Sequence, residues 1–108
     1  MSTSGPFDVA FGRWNNKSMK VIKIGAKWCS GCLVMAPRWR EIEAEHPWLM
    51  TEYYDFDDNT QEVAKYNAHS EVLPLFIFLK RNGEEILRMH GEVAKDRLVS
   101  VIIQNKEN

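Results

Sequence analysis

The chain has 108 residues, of which 44% are hydrophobic and 27% are charged, and its formal net charge is −1. This composition is typical of an ordinary soluble globular protein and excludes an intrinsically disordered one. The balanced charge provides no basic surface for nucleic acid or anionic lipid, and no run approaches the roughly 20 apolar residues that cross a bilayer. We therefore expect a monomer with one domain over residues 1–108 and with neither a nucleic-acid nor a membrane partner.

The first quarter of the chain predicts one helix and one strand. The opening residues MSTSGP lack the basic and apolar regions of a secretory signal, so we expect a cytoplasmic location. Residues 7–14 carry apolar side chains at spacings of three and four, which predict a short amphipathic helix. Residues 19–26 are rich in β-branched side chains, and Lys23 interrupts an otherwise apolar run from Val21 to Ala26. That pattern predicts a strand buried between helices.

The second quarter predicts a long helix and a second strand. Residues 30–45 follow a helical period, and Pro37 within them should kink the helix. The apolar positions of that period are Leu33, Val34, Ala36, Trp39, Ile42 and Ala44. Residues 49–56 predict a strand that leads into an acidic turn, where Asn59 or Thr60 is expected to cap a helix over residues 61–67.

The last part of the chain predicts a hairpin and a final helix. Residues 75–79 form the most apolar strand and directly follow Pro74, and Asn82-Gly83 is a hairpin signal. The strand over residues 85–90 should therefore run antiparallel to its predecessor, before a helix over residues 94–104. Strands separated by helices are expected to pair in parallel.

Two cysteines, the only ones in the chain, lie between the first strand and the long helix. At the start of a helix, unpaired backbone N–H groups and the macrodipole favour a thiolate on Cys29. Cys32 lies one turn further on, where it can attack a mixed disulfide formed on Cys29. This arrangement predicts reversible dithiol–disulfide exchange. Inert buried thiols are one alternative, and a metal site completed by histidines is another. None of the candidate histidines, His46, His69 and His90, stands at a local ligand spacing, so no metal is expected.

At this point the chain resembles the thioredoxin family over nearly its whole length. The matching features are Trp28-Cys29-Ser30-Gly31-Cys32, Pro37, Val72-Leu73-Pro74, Asn82-Gly83-Glu84 and Gly91. The resemblance implies a thioredoxin-like α/β fold, with a central mixed sheet flanked by helices. Because the N-terminal segment is short and rich in Gly, Pro and Ser, we expect about four strands, the family's first strand being lost.

The resemblance also implies roles for individual residues. Cys29 would be the nucleophile and Cys32 the resolving thiol, with Ser30 and Gly31 between them as supporting residues. Pro74 would follow a cis peptide bond and bring the backbone of Leu73 beside Cys29, where it can bind an extended substrate. Trp28 would shield the cysteines, and Trp28, Leu73, Pro74 and Gly91 would contact the substrate.

Three features depart from the family pattern. Ser30-Gly31 replaces the usual Gly-Pro, Lys23 replaces a buried aspartate, and the usual lysine partner aligns near Tyr53. Lys23 could act as a base for Cys32 or stabilise its thiolate. Alternatively, it could form an ion pair with Glu52 or Asp55 on the neighbouring strand, which is the interpretation we prefer.

The sequence thus predicts a thiol–disulfide oxidoreductase that reduces protein disulfides, contributes to electron transport and cell redox homeostasis, and needs no cofactor. An upstream reductase of the thioredoxin-reductase type is implied by the resemblance alone. A more oxidising disulfide donor or isomerase, and a binding module with vestigial redox activity, are the alternatives. Leu33, with Trp28 and Leu75, could form an apolar rim for protein docking, or could pack inward. The acidic cluster of Asp55, Asp57 and Asp58 is expected to be a solvated turn.

Overall fold

Four strands form one mixed sheet in the computed structural model of the protein, which describes residues 18–108. The predicted helix over residues 7–14 and the expected loss of a first strand concern residues outside that part. The predicted α/β architecture is confirmed. The strands are β1 (Lys20–Gly25), β2 (Met50–Asp55), β3 (Leu75–Leu79) and β4 (Glu85–His90), and the helices are α1 (Ser30–Glu45), α2 (Thr60–Lys65) and α3 (Lys95–Gln104).

The sheet has the order β2-β1-β3-β4. The predicted parallel pairing of β1 with β2 and the antiparallel β3–β4 hairpin are confirmed. The expectation that β3 is also parallel to its helix-separated neighbours is wrong, because β3 pairs antiparallel with β1, Leu75 lying opposite Ile24. The connecting helix α2 has six residues and spans only about 9 Å, so the chain does not return to the other end of the sheet before β3 begins.

Apolar side chains pack on both faces of the sheet. One buried cluster joins Val21 and Phe78 to residues of α1 and α3, and the other joins Ile22 and Ile77 to Val63 of α2. The five residues of β3 are all buried, which explains why this strand is the most apolar segment of the chain. Within residues 18–108, no helix is long and apolar enough to span a membrane.

Helix α1 buries fewer residues than the sequence period predicts. Trp39 and Ile42 are buried, as expected, and so is Met35, which the prediction omitted. Leu33, Val34, Ala36 and Ala44 follow the same period in the sequence but are exposed. The buried spacing of four and three residues is that of one face of a helix, and the exposed Leu33 and Val34 lie at the end that carries the cysteines.

Candidate active site

Cys29 and Cys32 lie where β1 leads into α1. Cys29 occupies the N-cap position of α1, and its Sγ accepts a hydrogen bond from the backbone N–H of Cys32 at 3.2 Å. The two residues are joined by a disulfide, with their Cα atoms 5.3 Å apart. Because the sulfurs are bonded, the alternative of two separate inert thiols is excluded. A sulfur at this position faces the helix N-terminus, where backbone N–H groups stabilise negative charge.

Pro74 and its neighbours line the other side of the cysteine loop. The Leu73–Pro74 peptide bond is cis, as the resemblance implied. A Cβ atom added to Gly31 would lie 3.1 Å from Pro74 Cδ, so the backbone between the cysteines passes very close to the proline ring. Gly91 adopts a left-handed φ of 85°, and its N–H donates a hydrogen bond to the Pro74 carbonyl oxygen at 2.8 Å. Gly91 and Pro74 are therefore brought to the same end of the sheet as the cysteines.

Trp28 is held by the acidic turn after β2. Its Nε1–H donates a hydrogen bond to Asp57 Oδ2 at 2.8 Å, and its ring meets Phe56 edge-on with the centroids 6.2 Å apart. The turn is ordered by Asp55, whose Oδ1 accepts from the backbone N–H groups of Asp57 and Asp58. The sequence interpretation missed this role of Asp57. The sequence contained only an indirect signal for it, namely an indole N–H that needs an acceptor and a cluster of acidic residues 29 positions further along the chain.

The predicted cap of α2 is partly wrong. Asn59 stands at the N-cap position, but its side chain makes no hydrogen bond to the helix. Its Oδ1 instead accepts from the backbone N–H of Asp55 at 2.8 Å, and thus closes the acidic turn on itself. Among residues 18–108, no three His, Cys, Asp or Glu side chains come together as a metal site would require.

Lys23 forms an ion pair, but not with the predicted partners. Its Nζ lies 2.5 Å from Glu43 Oε2 on α1 and 5.5 Å from the centre of the Trp39 ring. The expected pairing with Glu52 or Asp55 is wrong, because Glu52 is paired with Lys20 and Asp55 accepts hydrogen bonds from its own turn. Glu43 also accepts a hydrogen bond from Thr51 at 3.0 Å, and so links the helix to both strands.

A cavity of about 170 Å³ opens behind Cys32, between the sheet and α1. Its polar lining includes Lys23, Glu43 and Tyr53, and its apolar lining includes Trp39 and Pro74. Although 54% of Tyr53 is exposed, the partial burial of its side chain, followed by the negative charge of Asp55, raises the pKa of Tyr53 above its ordinary value of 10.0. The Tyr53 hydroxyl therefore stays protonated at neutral pH. Tyr53 therefore lines the site, and the sequence did not predict this position for its hydroxyl.

One of the two alternatives from the sequence placed Leu33, Trp28 and Leu75 in an apolar rim around the cysteines, and only two of these side chains are exposed. Leu33 is 68% exposed and Trp28 is 57% exposed, so both side chains are available to a protein partner. Leu75 is only 2% exposed and packs in the core, so its inclusion in the rim is wrong. Leu33 directly follows Cys32, and the rim therefore borders the disulfide.

Comparison with known proteins agrees with this geometry. The sequence model of the family described as Thioredoxin matches residues 5–104. The chain belongs to the thioredoxin family. It is 36% identical over 91 residues to Thioredoxin H7 of Arabidopsis thaliana, covering 84% of this chain and 67% of that protein. It is 27% identical over 93 residues to Thioredoxin-1 of Caenorhabditis elegans, covering 86% of this chain and 77% of that protein.

A solved thioredoxin structure has the same architecture. The thioredoxin of Fasciola hepatica superposes with a TM-score of 0.75 and 29% identity, covering 85% of this chain and 86% of that one. The thioredoxin fold, the family relatives and the disulfide-linked cysteine pair together identify this chain as a thiol–disulfide oxidoreductase that acts on protein disulfides. Its thioredoxin site differs from the expected pattern in having the Lys23–Glu43 ion pair and Tyr53 behind the cysteines.

Proposed function

We propose that the protein works as a reductant of protein disulfides, with Cys29 as the nucleophile and Cys32 as the resolving thiol. The observation that carries this assignment is the position of Cys29 at the N-cap of α1, where its sulfur accepts the N–H of Cys32. That N–H and the helix dipole stabilise a thiolate on Cys29. Only 8% of Cys29 is exposed, and in this proposal the substrate sulfur approaches it from the end of the helix.

The exchange conserves atoms and electrons in two steps. The Cys29 thiolate attacks one sulfur of the substrate disulfide, and the other substrate sulfur leaves as a thiolate and takes up a proton. Cys32 loses its proton and attacks Cys29 Sγ, which breaks the mixed disulfide and releases the second substrate thiol. The substrate gains two electrons and two protons, and the protein is left with the Cys29–Cys32 disulfide. No cofactor takes part in these steps.

Substrate binding in this proposal uses the residues around the disulfide. The backbone of Leu73, next to Pro74, offers N–H and C=O groups to an extended segment of the substrate, while Gly91 supports the Pro74 carbonyl. The exposed Trp28 and Leu33 add apolar contacts. Turnover then requires a separate reductase of the thioredoxin-reductase type. In this proposal the protein acts as a monomer in the cytoplasm, where it takes part in electron transport and redox homeostasis.

Insulin reduction with dithiothreitol as the electron donor tests the assignment of the two cysteines. We expect Cys29→Ser to abolish catalysis, because no thiolate remains to attack the substrate. Cys32→Ser should instead accumulate a mixed disulfide between Cys29 and the substrate, detectable on a non-reducing gel. Equal activity of Cys29→Ser and the wild type would contradict the assignment.

The redox potential separates reduction from the oxidising alternative. Equilibration with glutathione should give a value near −270 mV for a reductant, whereas about −120 to −180 mV would indicate a disulfide donor or isomerase. If a variant with both cysteines replaced by serine kept its partners and its biological role, the protein would be a binding module instead.

A further inference from the structure

Tyr53 and Cys32 converge on one side of Gly25. A Cβ atom added to Gly25 would lie 3.0 Å from Cys32 Sγ and 3.1 Å from the Tyr53 hydroxyl oxygen. Lys23 lies opposite Tyr53 in the parallel register of β1 and β2, and Gly25 follows Lys23 on the same sheet face. The absence of a side chain at Gly25 therefore leaves the sulfur and the hydroxyl facing a common space.

That space is part of the cavity behind Cys32. Most of its walls are apolar side chains, which disfavour a thiolate on Cys32 because they do not solvate charge. Trp39 also lines the cavity, and its buried Nε1–H has no hydrogen-bond partner among the described residues. A cavity of about 170 Å³ has room for several water molecules at about 30 Å³ each.

Two of the three charged side chains that line the cavity are paired with each other. The Lys23 ammonium is held by Glu43, and Arg40 is the other charged residue that α1 contributes to the lining. Asp55, further along β2, accepts hydrogen bonds from its own turn. The β3 side contributes Pro74 and Phe76, neither of which titrates. The Tyr53 hydroxyl is thus the neutral donor that this geometry brings towards the sulfur.

We propose that the Tyr53 hydroxyl donates a hydrogen bond to the Cys32 thiolate during resolution of the mixed disulfide, and that the cavity receives the Cys32 proton. A hydrogen bond to the charged form of a group favours that form, so the thiolate that attacks Cys29 Sγ is more populated at neutral pH. The proton passes to cavity water and on to solvent, and the departing substrate thiolate takes one up. This inference rests on the proposed roles of the two cysteines.

The Cys29→Ser background isolates Cys32, because the chain then has a single thiol. The rate of Cys32 alkylation by iodoacetamide is measured against pH in this background, alone and with Tyr53→Phe. We expect Tyr53→Phe to move the midpoint of the profile upward by about one pH unit. Tyr54→Phe is the matched control, because Tyr54 is on the same strand but its hydroxyl donates to Glu52. It should leave the midpoint unchanged.

A second measurement follows both chemical steps in the protein with both cysteines. With the reduced protein in excess, 5,5′-dithiobis(2-nitrobenzoic acid) releases one thionitrobenzoate when Cys29 attacks and another when Cys32 resolves. We expect Tyr53→Phe to slow the second release about tenfold at pH 7 and to leave the first unchanged. Equal second-phase rates and midpoints in Tyr53→Phe and Tyr54→Phe would overturn the inference. Loss of the first phase in the wild type would instead refute the proposed role of Cys29.

Discussion

Two glycines at this site are important because they have no side chain. Gly25 leaves room for the Cys32 sulfur, and Gly31 lets the cysteine loop approach the Pro74 ring. Gly91 has a different role, because its φ of 85° is a conformation that other residues rarely adopt. The sequence allowed Gly91 to be identified as the residue after the last strand, but its hydrogen bond to Pro74 depends on contacts between distant segments.

Gly91→Ala should lower the free energy of unfolding by about 1–2 kcal/mol, because an alanine is strained at this φ. It should also weaken insulin reduction, since the strained backbone no longer holds the Pro74 carbonyl. Gly83→Ala is the matched control, because Gly83 has a φ of 96° in the hairpin turn, away from the cysteines. Urea denaturation and the insulin assay check both variants. Equal activity of the two would show that the Gly91 contact has no part in catalysis.

Elements with strong local signals were the most predictable from the sequence. Strand β3 matches its predicted bounds, because a continuous apolar run between Pro74 and an Asn-Gly turn allows few alternatives. The direction of β3 was predicted wrongly, since it depends on how far α2 carries the chain. The partner of Lys23 was also missed, because Glu43 lies 20 residues away on a helix rather than on the neighbouring strand.

The Lys23–Glu43 pair connects β1 with α1, and its loss should destabilise this packing. Lys23→Met leaves a partly buried carboxylate with Thr51 as its remaining partner, so we expect a loss of about 1–2 kcal/mol in the free energy of unfolding. The double variant Lys23→Met/Glu43→Leu should recover most of this loss. Lys27→Met removes an exposed ion pair with Asp58 and should cause no measurable change. Urea denaturation compares the wild type, Lys23→Met, Glu43→Leu, the double variant and Lys27→Met, and additivity of the Lys23→Met and Glu43→Leu effects would contradict the coupling.

At the scale of the whole molecule, acidic side chains with paired neighbours determine how stability depends on pH. The hydroxyl of Tyr54, and then Lys20, lower the pKa of Glu52 below its ordinary 4.5. Arg88 lowers the pKa of Glu85 in the same way, at the other edge of the sheet. A lowered folded-state pKa adds stability above the unfolded value, and that stability is lost as the pH falls through the folded value.

Glu52→Gln should therefore flatten the acid limb of the stability profile below about pH 4.5. The difference from the wild type should be no more than about 1 kcal/mol, because these groups are partly exposed and solvent screens them. Glu107→Gln, in the exposed C-terminal tail, is the control. Urea midpoints measured from pH 2.5 to pH 7 check this prediction. Parallel profiles for Glu52→Gln and the wild type would show that the pair contributes nothing to acid stability.

A Cβ atom added to Gly31 would lie only 3.1 Å from Pro74 Cδ, which makes these two positions interdependent. A larger residue at 31 must push the proline ring aside, and a smaller residue at 74 would make space for it. The free-energy costs of substituting the two positions should consequently not add, as a double-mutant cycle would reveal. Engineering of the intercysteine dipeptide in this protein therefore requires randomising Pro74 together with Gly31, since screening either position alone samples only half of a coupled pair.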